Sequence, residues 1–103
     1  MPTTWLKVRA VLAEPADRPR FDAWYAEEHL PDAKQGFGAR RAWRCWSRTD
    51  PLVHYAFYEF PDAATAEAAL ASPALRDLVA EFDRVWDSRV TRMRELLELA
   101  GDI

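Results

Sequence analysis

The chain has 103 residues, half of them hydrophobic and 13 % aromatic, with a formal net charge of −3 and a pI near 5.3. That length makes residues 1–103 a single domain, and the mild acidity leaves no basic excess to neutralise phosphates, so nucleic acid is not an expected partner. A domain this small buries only about 60–65 % of its unfolded surface, so an apolar contact with a second subunit would add to its stability.

Arg40, Arg41, Arg44 and Arg48 cluster locally and read as solvated strand positions balanced by acids elsewhere. The single cysteine, Cys45, excludes an intrachain disulfide and a cysteine-based zinc site. Met-Pro-Thr-Thr-Trp at the start carries no basic stretch or long apolar run, so no signal peptide is expected. No apolar run approaches the ~20 residues that span a bilayer. The expectation is a cytoplasmic protein with no membrane partner.

Residues 4–13 alternate with period 2. Leu6, Val8, Ala10 and Leu12 point one way, and Trp5, Lys7, Arg9 and Val11 the other, as in a strand. Glu14-Pro15-Ala16-Asp17 ends it, because proline supplies no ladder donor. Asp17 is placed to cap a following helix and Pro19 suits its first turn. Phe21, Trp24, Tyr25, Glu28 and His29 then recur at three- and four-residue spacing, which predicts one helical stripe. Pro31 falls where that helix would stop or kink, and Gly36 and Gly38 punctuate the entry to the next strand.

Residues 37–48 alternate again, with Phe37, Ala39, Trp43 and Cys45 on one face and Ala42, Arg44 and Trp46 on the other. Thr49-Asp50-Pro51 is a turn. A third strand carries Val53, Tyr55 and Phe57 against His54, Ala56, Tyr58 and Phe60. Both of its faces are apolar or aromatic, which predicts a sheet covered on both sides. Asp62 is a plausible cap for a second helical region, broken at Ser72-Pro73. Beyond the break Leu75, Leu78, Val79, Phe82, Val85 and Trp86 fit the 3.6-residue period. The tail from Val90 reads in two ways. Its helix formers could extend the preceding helix, or it is a fourth strand with Thr91, Met93, Glu95, Leu97 and Leu99 on one face. The strand completes the order β-α-β-β-α-β of a ferredoxin-like α+β sheet, and topology favours it.

The run Phe21…Trp24-Tyr25…Glu28-His29-Leu30-Pro31-Asp32, the glycine-containing strand entry and the late helix ending at Trp86 resemble the EthD-like branch of the dimeric α+β barrel superfamily. The resemblance extends from the first strand through Leu99 and is sharpest at His29-Leu30-Pro31. It implies a homodimer in which two antiparallel sheets pair face to face with helices outside. It also implies a pocket between each sheet and its helices. In related families that pocket hosts cofactor-free chemistry on small cyclic molecules: lactone isomerisation, polyketide cyclisation or oxygenation of electron-rich aromatics. The motif histidine maps onto His29. Lactone-isomerising relatives also use a cysteine, and Cys45 is not in an equivalent place, which puts that reaction in doubt here.

His29 is the candidate acid/base group, since an unperturbed imidazole titrates near 6.5. Tyr25, one turn earlier on the same stripe, can reach the same space and hold a substrate carbonyl oxygen. Glu28 and Asp32 flank the histidine and could orient it; carboxylates so placed are more often solvated or capping. Trp24, Trp46, Tyr55 and Tyr58 are candidate walls for an aromatic ligand, whereas Trp43 and Trp86 read as core or subunit interface. His54 joins the site only if its strand face is the helix side. Two histidines without matched spacing do not make a zinc site, and no glycine-rich phosphate loop exists, so no metal and no cofactor are expected. The expected function is cofactor-independent isomerase, cyclase or oxygenase-like chemistry on a small cyclic or aromatic metabolite. The alternatives are a ligand-binding accessory protein on the same fold, or a structural dimer whose pocket is filled.

Overall fold

The alternating pattern near the N-terminus forms strand β1 (Thr4–Leu12) of the computed structural model, which describes residues 2–103. β1 is central, pairing antiparallel with β3 (Val53–Phe60) and with β4 (Val90–Glu98), while β2 (Arg41–Trp46) lies outside β3. The sheet order is β2-β3-β1-β4. The tail is therefore a strand and not a helical extension. Its register sets Arg94 beside Val8 and Arg92 beside Ala10 on β1.

Helical segments α1 (Arg18–Trp24) and α2 (Leu30–Phe37), joined by a π-helical turn over Tyr25–His29, connect β1 to β2. Helices α3 (Ala63–Leu70) and α4 (Pro73–Trp86) connect β3 to β4. The fold is thus the α+β, ferredoxin-like β-α-β-β-α-β arrangement. Asp62 caps α3 by accepting the Thr65 N–H at 2.8 Å. The expected break at Ser72-Pro73 separates α3 from α4, where proline costs no helical hydrogen bond.

The core lies between the sheet and the helices. Leu6, Ala10 and Leu12 from β1 and Ala56, Tyr58 and Phe60 from β3 meet Phe21, Trp24, Tyr25, Phe82 and Trp86 from the helical layer. Phe21 is its hub, with ring centroids 5.1–6.3 Å from those of Trp24, Tyr25, Trp46, His54, Phe82 and Trp86. Each such aromatic pair adds about 0.5–1.5 kcal/mol beyond its buried area.

Three local expectations are corrected. Asp17 does not cap a helix with its side chain; its buried carboxylate is bound by Arg89. Of the two readings of Pro31, a stop or a kink, the stop is not found: the helix runs on to Phe37 after a widened turn at Tyr25–His29. Phe37 belongs to α2 and not to β2, and Gly38 closes that helix in the left-handed region at φ 67°. The N–H groups of Gly38 and Ala39 bond the carbonyls of Gln35 and Lys34 there. This chain itself covers one face of the sheet with its helices. Trp5, Val11, Trp43, Tyr55, Phe57, Met93 and Leu97 alternate onto the other face, where Trp43 stacks on Phe57 at 5.3 Å. Met93 is 68 % exposed.

Candidate functional site

A proline inside a helix lacks the N–H for the i→i−4 ladder, and its ring presses on the carbonyl four residues back. Here the chain widens just before Pro31, and the Leu30 N–H bonds the Tyr25 carbonyl, an i→i−5 closure. Such π turns recur at functional sites. The extra residue turns Trp24, Tyr25 and His29 inward together, and leaves Ala26, Glu27 and Glu28 exposed.

His29 is held by rings. It stacks on Trp24 at 4.8 Å and 18°, and meets Tyr25 at 4.8 Å and Phe82 of α4 at 5.4 Å edge-on. Burial, with the Arg92 charge as a lesser cause, lowers its pKa from 6.5 to about 4. The imidazole is therefore neutral at physiological pH and can accept a proton. It lines a cavity of about 220 Å³ between the helices and the sheet, partly open to solvent.

Leu6, Val8, Leu75, Leu78, Val79 and Phe82 supply apolar walls to that cavity. Its polar wall is Tyr25, Tyr58, Arg92 and Arg94 beside His29. The Tyr25 and Tyr58 hydroxyl oxygens are 3.4 Å apart. One proton at most lies between them, so the second hydroxyl proton is left for a ligand. Burial pushes Tyr25 up to about 12 and raises Tyr58 well above its ordinary value, so both phenols stay protonated. The Arg92 guanidinium lies over the Phe82 ring at 3.8 Å and donates to Asp83 at 2.7 Å. An apolar cavity of about 150 Å³ accepts benzene, so this one has room for a substituted ring or a compact bicycle.

The other sequence candidates divide. Trp24 is buried behind His29 and supports it without lining the cavity. His54 does occupy the helix side of β3, fully buried, with its ring 4.5 Å from that of Tyr25. Its Nε2 faces an Arg44 guanidinium nitrogen at 3.2 Å. Because arginine only donates, Nε2 accepts and Nδ1 carries the proton, and that Nδ1 has no partner among the described residues. Burial, then the Arg44 charge, lowers His54 to about 3. Arg44 also reaches Asp22 at 2.5 Å, and the Trp46 indole N–H donates to the same carboxylate oxygen at 2.8 Å. Trp46 is thus engaged in a structural cluster away from the cavity. Glu28 lies on the outer side near Glu81 and Arg84, and Asp32 is exposed on α2. Tyr55 is on the opposite sheet face under Lys7.

Arg92 and Arg94 were not singled out from the sequence. A signal was present: once residues 90–98 are a strand, Val90, Arg92, Arg94 and Leu96 share the face opposite Thr91 and Met93, and an arginine on a core-facing row asks for a reason.

Comparison of the sequence with family models and with curated proteins finds no match. Solved structures share the fold. The cofactor-independent oxygenase SnoaB from Streptomyces nogalater is similar over all of this chain and 98 % of its own, with a TM-score of 0.67 and 14 % identity. A dimeric ferredoxin-like protein from an uncultured marine organism matches over the whole of both chains, with a TM-score of 0.70 and 18 % identity. An ethyl tert-butyl ether D (EthD) family protein from Bacillus halodurans matches over 88 % of this chain and 96 % of its own, with a TM-score of 0.64 and 17 % identity. The fold resembled at the sequence level is therefore the fold found.

Proposed function

We propose that this chain is a small-molecule enzyme that works without a cofactor, using His29 to move a proton next to a carbonyl of a cyclic or aromatic metabolite. The observation that carries this reading is a neutral imidazole on the wall of an open cavity with apolar sides, with the Tyr25–Tyr58 hydroxyl pair on the same wall. His29 takes the proton as the C–H bond breaks, and the electron pair moves onto the carbonyl oxygen to give an enolate. The spare phenolic proton of Tyr25 or Tyr58 hydrogen-bonds that oxygen, and burial makes the bond stronger than it would be in water. Return of the proton to a different carbon completes an isomerisation, and attack by the enolate carbon within the same molecule completes a cyclisation. The likeness in fold to a cofactor-independent oxygenase supports chemistry that proceeds without a cofactor.

The molecule is also inferred to work as a homodimer, joined through the uncovered sheet face. Support comes from the aromatic and aliphatic row on that face and from the fold shared with a protein described as dimeric.

The test uses 2-tetralone in D₂O, following exchange of its ring α-protons by NMR. Wild-type protein is expected to accelerate exchange, and His29→Ala to lose about 10²-fold of that acceleration, the usual contribution of a placed base. Tyr25→Phe should lose less, since Tyr58 remains. Equal rates for wild type and His29→Ala would remove His29 from the role.

A further inference from the structure

We propose that the metabolite carries a carboxylate, and that Arg94, with Arg92 beside it, is the part of the cavity that binds it. This rests on the functional reading above and adds the chemical class of the ligand.

The starting point is an imbalance of charge. The chain as a whole has a net charge of −3, yet the cavity wall contains two arginines and no aspartate or glutamate. His29 adds no charge, being neutral. Arg92 and Arg94 are two residues apart on one row of β4, which puts their backbones about 7 Å apart. Arg92 has one carboxylate partner, Asp83, whose side chain is itself 60 % exposed. Arg94 has no ion-pair partner among the described residues.

The charge of Arg94 acts against that of Arg92, and desolvating a guanidinium against an aromatic wall is unfavourable unless an anion compensates. The packing of Arg92 over Phe82 nevertheless holds it at the cavity. Burial lowers its pKa, and the charge of Arg94 acts in the same direction. An anion seated between the two would relieve both costs. A carboxylate fits because its two oxygens match the planar donor fork of arginine.

Geometry also separates the two ends of the ligand. β4 is an edge strand, so Arg94 stands at the rim of the sheet, while His29 and the tyrosines belong to the helical layer and to β3. A ring held by Leu75, Leu78 and Phe82 could keep its carboxylate on Arg94 while its reacting carbon meets His29.

The test compares 2-naphthoate with 2-naphthamide, two molecules of nearly equal shape that differ in charge, by calorimetric titration of the intact protein. The proposal expects the acid to bind at least about tenfold more tightly than the amide, as one charge-assisted contact provides. That preference should fall several-fold in Arg94→Gln, fall less in Arg94→Lys, and shrink as salt rises from about 50 to 500 mM. Arg94 is exposed, and both variants are expected to fold. Equal affinity of acid and amide in the wild type overturns the carboxylate assignment, an undiminished preference in Arg94→Gln overturns the role of Arg94, and either result leaves the acid/base reading standing. Binding of neither compound overturns both, because the cavity would then not accept a ring of this size.

Discussion

An imidazole moved out of water into a ring-lined site loses hydration mainly in its charged form, so its pKa falls. His29 and His54 both follow this rule, at about 4 and about 3. The two differ in what surrounds the ring. His54 is sealed and tied to Arg44, whereas His29 is wedged among Trp24, Tyr25 and Phe82 with one side on the cavity. The depressed values also make a prediction about stability. Above the ordinary histidine value of 6.5 both states are neutral, and the contribution is fully present. As the pH falls below 6.5 the unfolded chain takes up protons that the folded chain refuses, so stability declines until the folded values near 4 and 3 are passed. Carboxylates with lowered values, such as Asp22, act below their ordinary value of 3.8 and leave the upper part of this window to the histidines. Urea unfolding should therefore give a free energy smaller at about pH 5 than at about pH 7.5 by on the order of 4 kcal/mol, about 2 from each ring, and His29→Gln should roughly halve that dependence. A stability independent of pH over this range would mean that neither ring is desolvated as described.

At the level of elements, the π turn is the feature that makes the site. It accommodates Pro31 and at the same time aims His29. A proline within a regular helix costs about 3 kcal/mol; here the turn has already widened to take the ring. Pro31→Ala should accordingly change unfolding free energy by less than about 1 kcal/mol, measured in urea. A gain approaching the full proline penalty would show that the turn does not relieve it. This also explains what the sequence could tell and what it could not. The stripe of Phe21, Trp24, Tyr25 and His29 was legible from spacing, and so was Asp62 as a cap. A regular 3.6-residue period also puts Glu28 in the stripe, and only the inserted residue of the π turn removes it. Nothing local marks such an insertion except the proline, which by itself reads as a stop. Tyr55 and Tyr58 pose the opposite difficulty. Strand alternation separates their faces cleanly, but which face meets the helices depends on the register with β1 and β4, a non-local fact. The same dependence hid Arg92 and Arg94, because their row acquires a meaning only once the tail is a strand.

For the whole molecule, the fold was legible because the order of periodicities gives the first five elements, and the ferredoxin-like topology then favours a strand over a helix for the tail from Val90. The proposed pairing of subunits is a separate matter, resting on the bare sheet face. The alternation that predicted cover on both sides leaves Trp43, Tyr55, Phe57 and Met93 without cover from this chain. A hydrophobic face of this kind is usually an interface. Light scattering after size exclusion at micromolar concentration should give twice the mass of the 11.9 kDa chain. Met93→Asp should shift it to the monomer without unfolding, since at 68 % exposure Met93 contributes little to the protomer core. A wild-type protein that remains monomeric under these conditions contradicts the pairing.

The pH profile of 2-tetralone exchange tests the central claim, that a neutral His29 is the proton acceptor in this cavity, most directly. The rate catalysed by wild type should rise with pH through a midpoint near 4 and stay level above it, following the neutral form of the buried imidazole. His29→Ala should show neither the rate nor that limb. A midpoint near the ordinary histidine value of 6.5, or a His29→Ala profile superimposable on the wild type, would contradict it.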